Sequence, residues 1–192
     1  MTASFRMVAG ALMFSAVLSA RAQTVTPVPA KAALCAACHD AQARSSQSVI
    51  PILAGQTARY MVLQLRDFQA GRRSNEVMSP MAADMTREEM NELSAYFAGQ
   101  KAPVQGFVAD PGKARLGKLK ADETLCTMCH LGGFAGQNEV PRVAGQNYEY
   151  IVKQLTEFKA RTRTNDAGSM TSVSGTLSAQ DIENLAHYMV GL

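Results

Sequence analysis

The sequence predicts an all-α protein made of two tandem copies of one small helical unit. Three observations carry that prediction. An internal repeat runs through most of the 192 residues, apolar positions fall three or four apart in both copies, and no alternating strand pattern occurs. Each copy contains one Cys-x-x-Cys-His motif, Cys35 to His39 and Cys126 to His130.

The repeat has a drifting offset. It is 91 between the two motifs, then 90 from Pro51 and Pro141 through Ala54-Gly55-Gln56 and Ala144-Gly145-Gln146. The same offset relates Tyr60 to Tyr150, Gln64-Leu65 to Gln154-Leu155, and Phe68, Arg73 and Asn75 to Phe158, Arg163 and Asn165. Two inserted residues then raise it to 92, which pairs Met78 with Met170, Leu93 with Leu185 and Tyr96 with Tyr188. Pro103, Gly106 and Pro111 mark the stretch between the copies as a linker. The implied divisions are a leader over 1–22, a first unit over 23–99, a linker over 100–112 and a second unit over 113–192.

Within the first unit, Thr57 is placed to cap a helix whose apolar face is Met61, Val62, Leu65 and Phe68, with Gly71 ending it. Thr86 to Glu89 forms a capping-box pattern ahead of Met90, Leu93 and Phe97. The second unit repeats both features, with Asn147 before Ile151, Val152, Leu155 and Phe158, and Ser178 to Asp181 before Ile182, Leu185 and Met189. Cores this small are marginal alone, so a covalently held apolar group would supply the missing bulk.

The N-terminus reads as an export signal: Arg6, an apolar run from Met7 to Leu18, then Ala20-Arg21-Ala22 as a cleavage pattern, leaving a chain that begins near Gln23. The run is short for a membrane span of about 20 residues. Without the leader's Arg6 and Arg21, 17 bases stand against 16 acids. That near balance, with no run of five or more like charges, argues against nucleic acid as a partner.

The four cysteines could form disulfides in an exported protein, but all four lie in Cys-x-x-Cys pairs followed directly by His. Cys-x-x-Cys-His is the attachment pattern of haem c, in which the cysteines form thioethers and the adjacent imidazole reaches the iron. Zinc is the competing reading. Against it stand the histidine in both copies, the separation of the pairs into different repeats and the export signal. A thioredoxin-like pair lacks the strand–helix–strand context. Two covalent haem c groups are therefore expected, on Cys35, Cys38, Cys126 and Cys129, with His39 and His130 as iron ligands.

Of eleven methionines, Met78 and Met170 occupy matching places, 39 and 40 residues after their histidines, in a predicted loop before the last helix of each unit. They are the candidates for the second axial ligands, and His/Met ligation suits electron transfer. Met81 and Met85 align with Val173 and Leu177, which cannot bind iron, so they read as packing residues. His187 aligns with Ala95 and reads as a surface or partly buried residue of the last helix. Pro51 and Pro141 could accept the Nδ1–H of the proximal imidazoles. Tyr60, Tyr150, Arg73 and Arg163 read either as groups approaching haem propionates or as packing and solvated charge.

On these motifs the chain resembles the cytochrome c4 family, in which two class I cytochrome c domains are joined in tandem, each a small helical fold around one covalent haem. The resemblance rests on CAACH and CTMCH, the two Pro-x-x-Ala-Gly-Gln loops, the Tyr and Gln-Leu positions after them, and the closing helices that follow Met78 and Met170. Asn165 to Ser169 departs from the tighter approach to the methionine usual in the family. The resemblance implies a periplasmic carrier of single electrons between respiratory partners, with no substrate chemistry. A cytochrome bc complex or a dehydrogenase is the implied donor and a terminal oxidase the acceptor, with peripheral membrane association. The alternative is a dihaem subunit of a periplasmic dehydrogenase such as a flavocytochrome sulfide dehydrogenase. A dihaem peroxidase needs an iron without methionine, which the symmetric Met78 and Met170 oppose.

Overall fold

The computed structural model describes residues 28–39, 49–104 and 106–192. The expected leader and its cleavage site lie outside them. The described residues are helical and contain no strand, only one isolated bridge between Gln137 and Val140. No helix among them is long and apolar enough to cross a membrane.

The first half contains α1 (Ala32–His39), α2 (Ala58–Gln69), α3 (Met78–Ala83) and α4 (Arg87–Ala98). The second contains α5 (Pro111–Glu123), α6 (Cys126–His130), α7 (Tyr148–Lys159), α8 (Ser169–Gly175) and α9 (Ala179–Val190), with a 3-10 turn at Gly132–Phe134. Each half has its own hydrophobic cluster. Met61, Phe68, Met90, Leu93 and Phe97 lie at the centre of the first, and Phe134, Ile151, Leu155, Leu185 and Met189 at the centre of the second. The predicted apolar faces of α2, α4, α7 and α9 are the ones that supply these clusters.

The two capping boxes form as the sequence predicts, Thr86 with Glu89 and Ser178 with Asp181. Thr57 and Asn147 occupy the N-cap positions of α2 and α7, yet neither side chain caps its own helix. Thr57 Oγ1 donates to Asn138 O and Asn147 Nδ2 to Ile50 O, each on the other half.

Met78 and Met170 lie in helices, not in the predicted loop. Asn75 Oδ1 accepts from the backbone N–H groups of Val77 and Met78 and so starts α3. Asp166 does the same for α8 by accepting from Thr171 N. Short polar side chains thus satisfy the orphan donors of one- or two-turn helices.

Helix α5 begins inside the stretch whose composition reads as linker. Asp110 Oδ1 accepts from Lys113 N and Pro111 sits in the first turn, a strong start signal. α5 packs on α9. Gly117 makes the approach possible, because a Cβ there would lie 2.0 Å from Asn184 O. Helix propensity alone would make Gly117→Ala stabilising by up to about 1 kcal/mol. The contact predicts the opposite sign, a loss of about 1–3 kcal/mol, read as a lower denaturant midpoint of the haem-loaded protein.

His187 is buried, at 9% exposure, where an aromatic cluster encloses it. Phe107 stacks on Tyr148 at 4.8 Å, and both rings contact the imidazole. Asp110 N donates to His187 Nδ1 at 3.1 Å, which requires a neutral ring. Burial, then Lys113, push the imidazole below its usual range, and Glu183 and Asp110 only partly oppose them. The unfolded chain therefore takes up this proton near pH 6.5, before the folded one does. The stability held above that pH is lost as the pH falls. The unfolding free energy should decline between about pH 7 and about pH 5, and His187→Gln should flatten that decline relative to the parent protein.

Candidate haem sites and the interface between them

Each Cys-x-x-Cys-His motif lies on a helix, α1 or α6, so its cysteines fall one turn apart. Cys35 and Cys126 are half-buried, Cys38 and Cys129 are exposed, and all four are free. Burial pushes the Cys35 and Cys126 thiols up, which keeps them protonated.

The histidines that follow are held identically. His39 Nδ1 lies 2.9 Å from Pro51 O, and His130 Nδ1 lies 2.9 Å from Pro141 O. A carbonyl can only accept, so each Nδ1 carries the hydrogen. Burial pushes both imidazoles below their usual range, and the backbone bond only partly opposes it. A neutral ring protonated at Nδ1 keeps a lone pair on Nε2, the form that ligates a metal.

The predicted methionines share a core with their cysteines. Met78 and Cys35 pack against the first hydrophobic cluster, and Met170 and Cys126 against the second. Met85 and Leu177 are core residues as expected, but Met81 is not a packing residue of the core, being exposed at 37%. The chemistry of the donor set therefore fits a thioether-linked haem in both halves: two free thiols, an oriented neutral imidazole, and a methionine on the same apolar cluster.

The loops after the motifs join the two halves. Gln146 Oε1 accepts from Ile52 N at 2.8 Å, and Gln146 Nε2 donates to Ile52 O at 3.0 Å. The mirror pair is Gln56 with Arg142, at 2.7 and 2.8 Å. Each glutamine amide pairs with one backbone residue of the other half, as a neighbouring strand would. The sequence pointed to these residues only as a repeated Ala-Gly-Gln, and exact repetition of a polar residue was the available signal.

A second crossed network lies beside the first. Arg73 donates to Gln64, Tyr150 and Gln154, and Arg163 donates to Gln154, Tyr60 and Gln64. The guanidinium groups also lie over the rings of Phe68 and Phe158, 4.7 and 4.4 Å from the ring centroids. Burial alone would raise the Tyr150 phenol, but Arg73 and Arg163 outweigh it and hold the group below its usual range. The four residues are thus neither solvated charge nor simple packing. They bind one another across the halves, and neither arginine forms an ion pair among the described residues. Arg163 is buried and Arg73 half-buried, their hydrogen-bond acceptors are all neutral, and Glu157 adds an electrostatic attraction on Arg73.

Residues 114–192 match the family model described as cytochrome c. Cytochrome c4 of Pseudomonas aeruginosa is 37% identical over 174 residues, covering 85% of this chain and 86% of that protein. A Stutzerimonas stutzeri (strain A1501) protein named thiosulfate dehydrogenase electron acceptor is 33% identical over 171 residues, covering 82% of this chain and 78% of its own length. The crystal structure of reduced recombinant cytochrome c4 from Pseudomonas stutzeri matches with a TM-score of 0.76 at 35% identity, covering 84% of this chain and 95% of that one. The helical fold, the two motifs and these likenesses define a c-type cytochrome with two covalently attached haems, an electron-transfer protein rather than an enzyme. The chain belongs to the cytochrome c4 family.

Gln146→Ala would leave the backbone N–H and C=O of Ile52 without their partners at a buried site. The expected cost is about 1–3 kcal/mol for each group left unpaired. It should fall on the interface rather than on either core. Calorimetry of the haem-loaded variant should resolve two unfolding transitions where the parent protein gives one.

Proposed function

We propose that Cys35 and Cys38 bind one haem through thioethers with His39 and Met78 as axial ligands. Cys126, Cys129, His130 and Met170 hold the other in the same way. The observation that carries this reading is the pair of equal His Nδ1–Pro carbonyl bonds, which aim two neutral imidazoles with Nε2 available. When bound, each haem supplies an iron that gains and loses one electron. The chain's own residues supply the ligands and the apolar burial that favour the ferrous state. The two glutamine–backbone pairs hold the two units, 23–99 and 113–192, at one fixed separation.

In this reading the protein moves single electrons between redox proteins in the periplasm, from a cytochrome bc complex or a dehydrogenase toward a terminal oxidase. The leader, residues 1–22, directs export and is removed. A dehydrogenase as donor has a specific observation in its favour, because one relative is named as the electron acceptor of thiosulfate dehydrogenase. The related reading, a dihaem subunit bound to a periplasmic dehydrogenase, would show as copurification with that enzyme.

The test is the oxidised spectrum of the purified protein with haem quantified per chain. Two haems and the weak sulfur-to-ferric-iron band of methionine ligation are expected. Met170→Ala should remove half of that band and keep both haems. A band unchanged by Met170→Ala would reject the ligand assignment.

A further inference from the structure

The loops Pro51–Gln56 and Pro141–Gln146 differ at two side chains, Leu53 against Val143 and Ile52 against Arg142, and only the latter pair differs in charge. Ile52 and Arg142 stand at equivalent places, each directly after the proline whose carbonyl accepts the histidine Nδ1–H bond. The backbone of each is held by the glutamine of the other half in the same way. Ile52 is buried, at 3% exposure. Arg142 is half-buried, and none of the salt bridges among the described residues includes it. A Cβ placed on Gly145 would lie 3.4 Å from Arg142 Nη2, so the guanidinium folds back over its own loop. The second half therefore holds a half-buried, unneutralised positive charge beside its histidine loop, where the first half holds a hydrocarbon.

We propose that Arg142 sets the potential difference between the two haems, raising the second relative to the first. The inference rests on the assignment of His39 and His130 as iron ligands. Oxidation of a ferrous haem adds one positive charge at the iron. A fixed cation nearby opposes that step, and partial burial weakens the screening that would cancel it. Ile52 exerts no such effect, so a single electron resides preferentially on the second haem. Burial pushes the Arg142 guanidinium down from its usual range without neutralising it at ordinary pH.

The test is a spectroelectrochemical titration of the haem-loaded protein, with each haem identified by its own ferric methyl resonances in NMR. Arg142→Gln should move the equilibrium between the haems by about threefold toward the first, which is roughly 28 mV at 59 mV per tenfold. Arg142→Lys should keep the parent distribution, and Ile52→Arg should raise the first haem. No shift in Arg142→Gln, or equal shifts in the Gln and Lys variants, would overturn the proposal. The sulfur-to-iron band, recorded in the same samples, separates the two questions. If it is absent from the parent protein the ligand assignment fails, and if it is intact without a shift only the role of Arg142 fails.

Discussion

Two six-residue loops, Pro51–Gln56 and Pro141–Gln146, are hydrogen-bonded from both sides, and the rest of the molecule is arranged around them. On one side the proline carbonyl orients the histidine of its own half. On the other, the next residue gives its N–H and C=O to the glutamine of the opposite half. One stretch of backbone therefore sets both the direction of a ligand and the contact between two units. A shift of either loop would disturb both. Neither core is large, so this shared constraint and the covalent haems carry much of the burden that a larger apolar interior would carry.

The pseudo-symmetry of the crossed contacts gives the interface its order and shows where it is broken. Thr57 and Asn147 both use their side chains across the interface instead of capping their own helices. Arg73 and Arg163 exchange partners in the same crossed manner. The symmetry fails at Asn165, which reaches Gln64 and Asp67 across the interface, while Asn75 starts its own helix α3. It fails again at Arg142 and Ile52. Two halves of common ancestry thus present different charges to otherwise similar sites.

Much of this was legible in the sequence because it depends on local chemistry. The Cys-x-x-Cys-His motifs, the helix periodicities and the two capping boxes are set by residues within a few positions of one another. Met78 and Met170 stood out by symmetry, though their short helices did not, since one or two turns begun by a single Asn or Asp side chain leave no periodic signal. Helix α5 was hidden by Pro111 and Gly112, which look like linker residues. Pro111 in fact opens the helix, and Gly117 permits its close approach to α9. The interface was the least legible part. Gln56 and Gln146 act on backbone groups 86 to 94 residues away, and no local pattern encodes such a partner.

The most direct measurement of this shared constraint is hydrogen exchange at the backbone amides of Ile52 and Arg142 in the haem-loaded protein. Both lie in loops that have no regular backbone ladder, and both donate to a glutamine of the other half. If the loops are held as described, the two amides exchange as slowly as those in the cores of α4 and α9, and Gln146→Ala releases Ile52 while Arg142 remains protected. Rapid exchange at both amides in the parent protein, at the rate of open loops, would contradict the account.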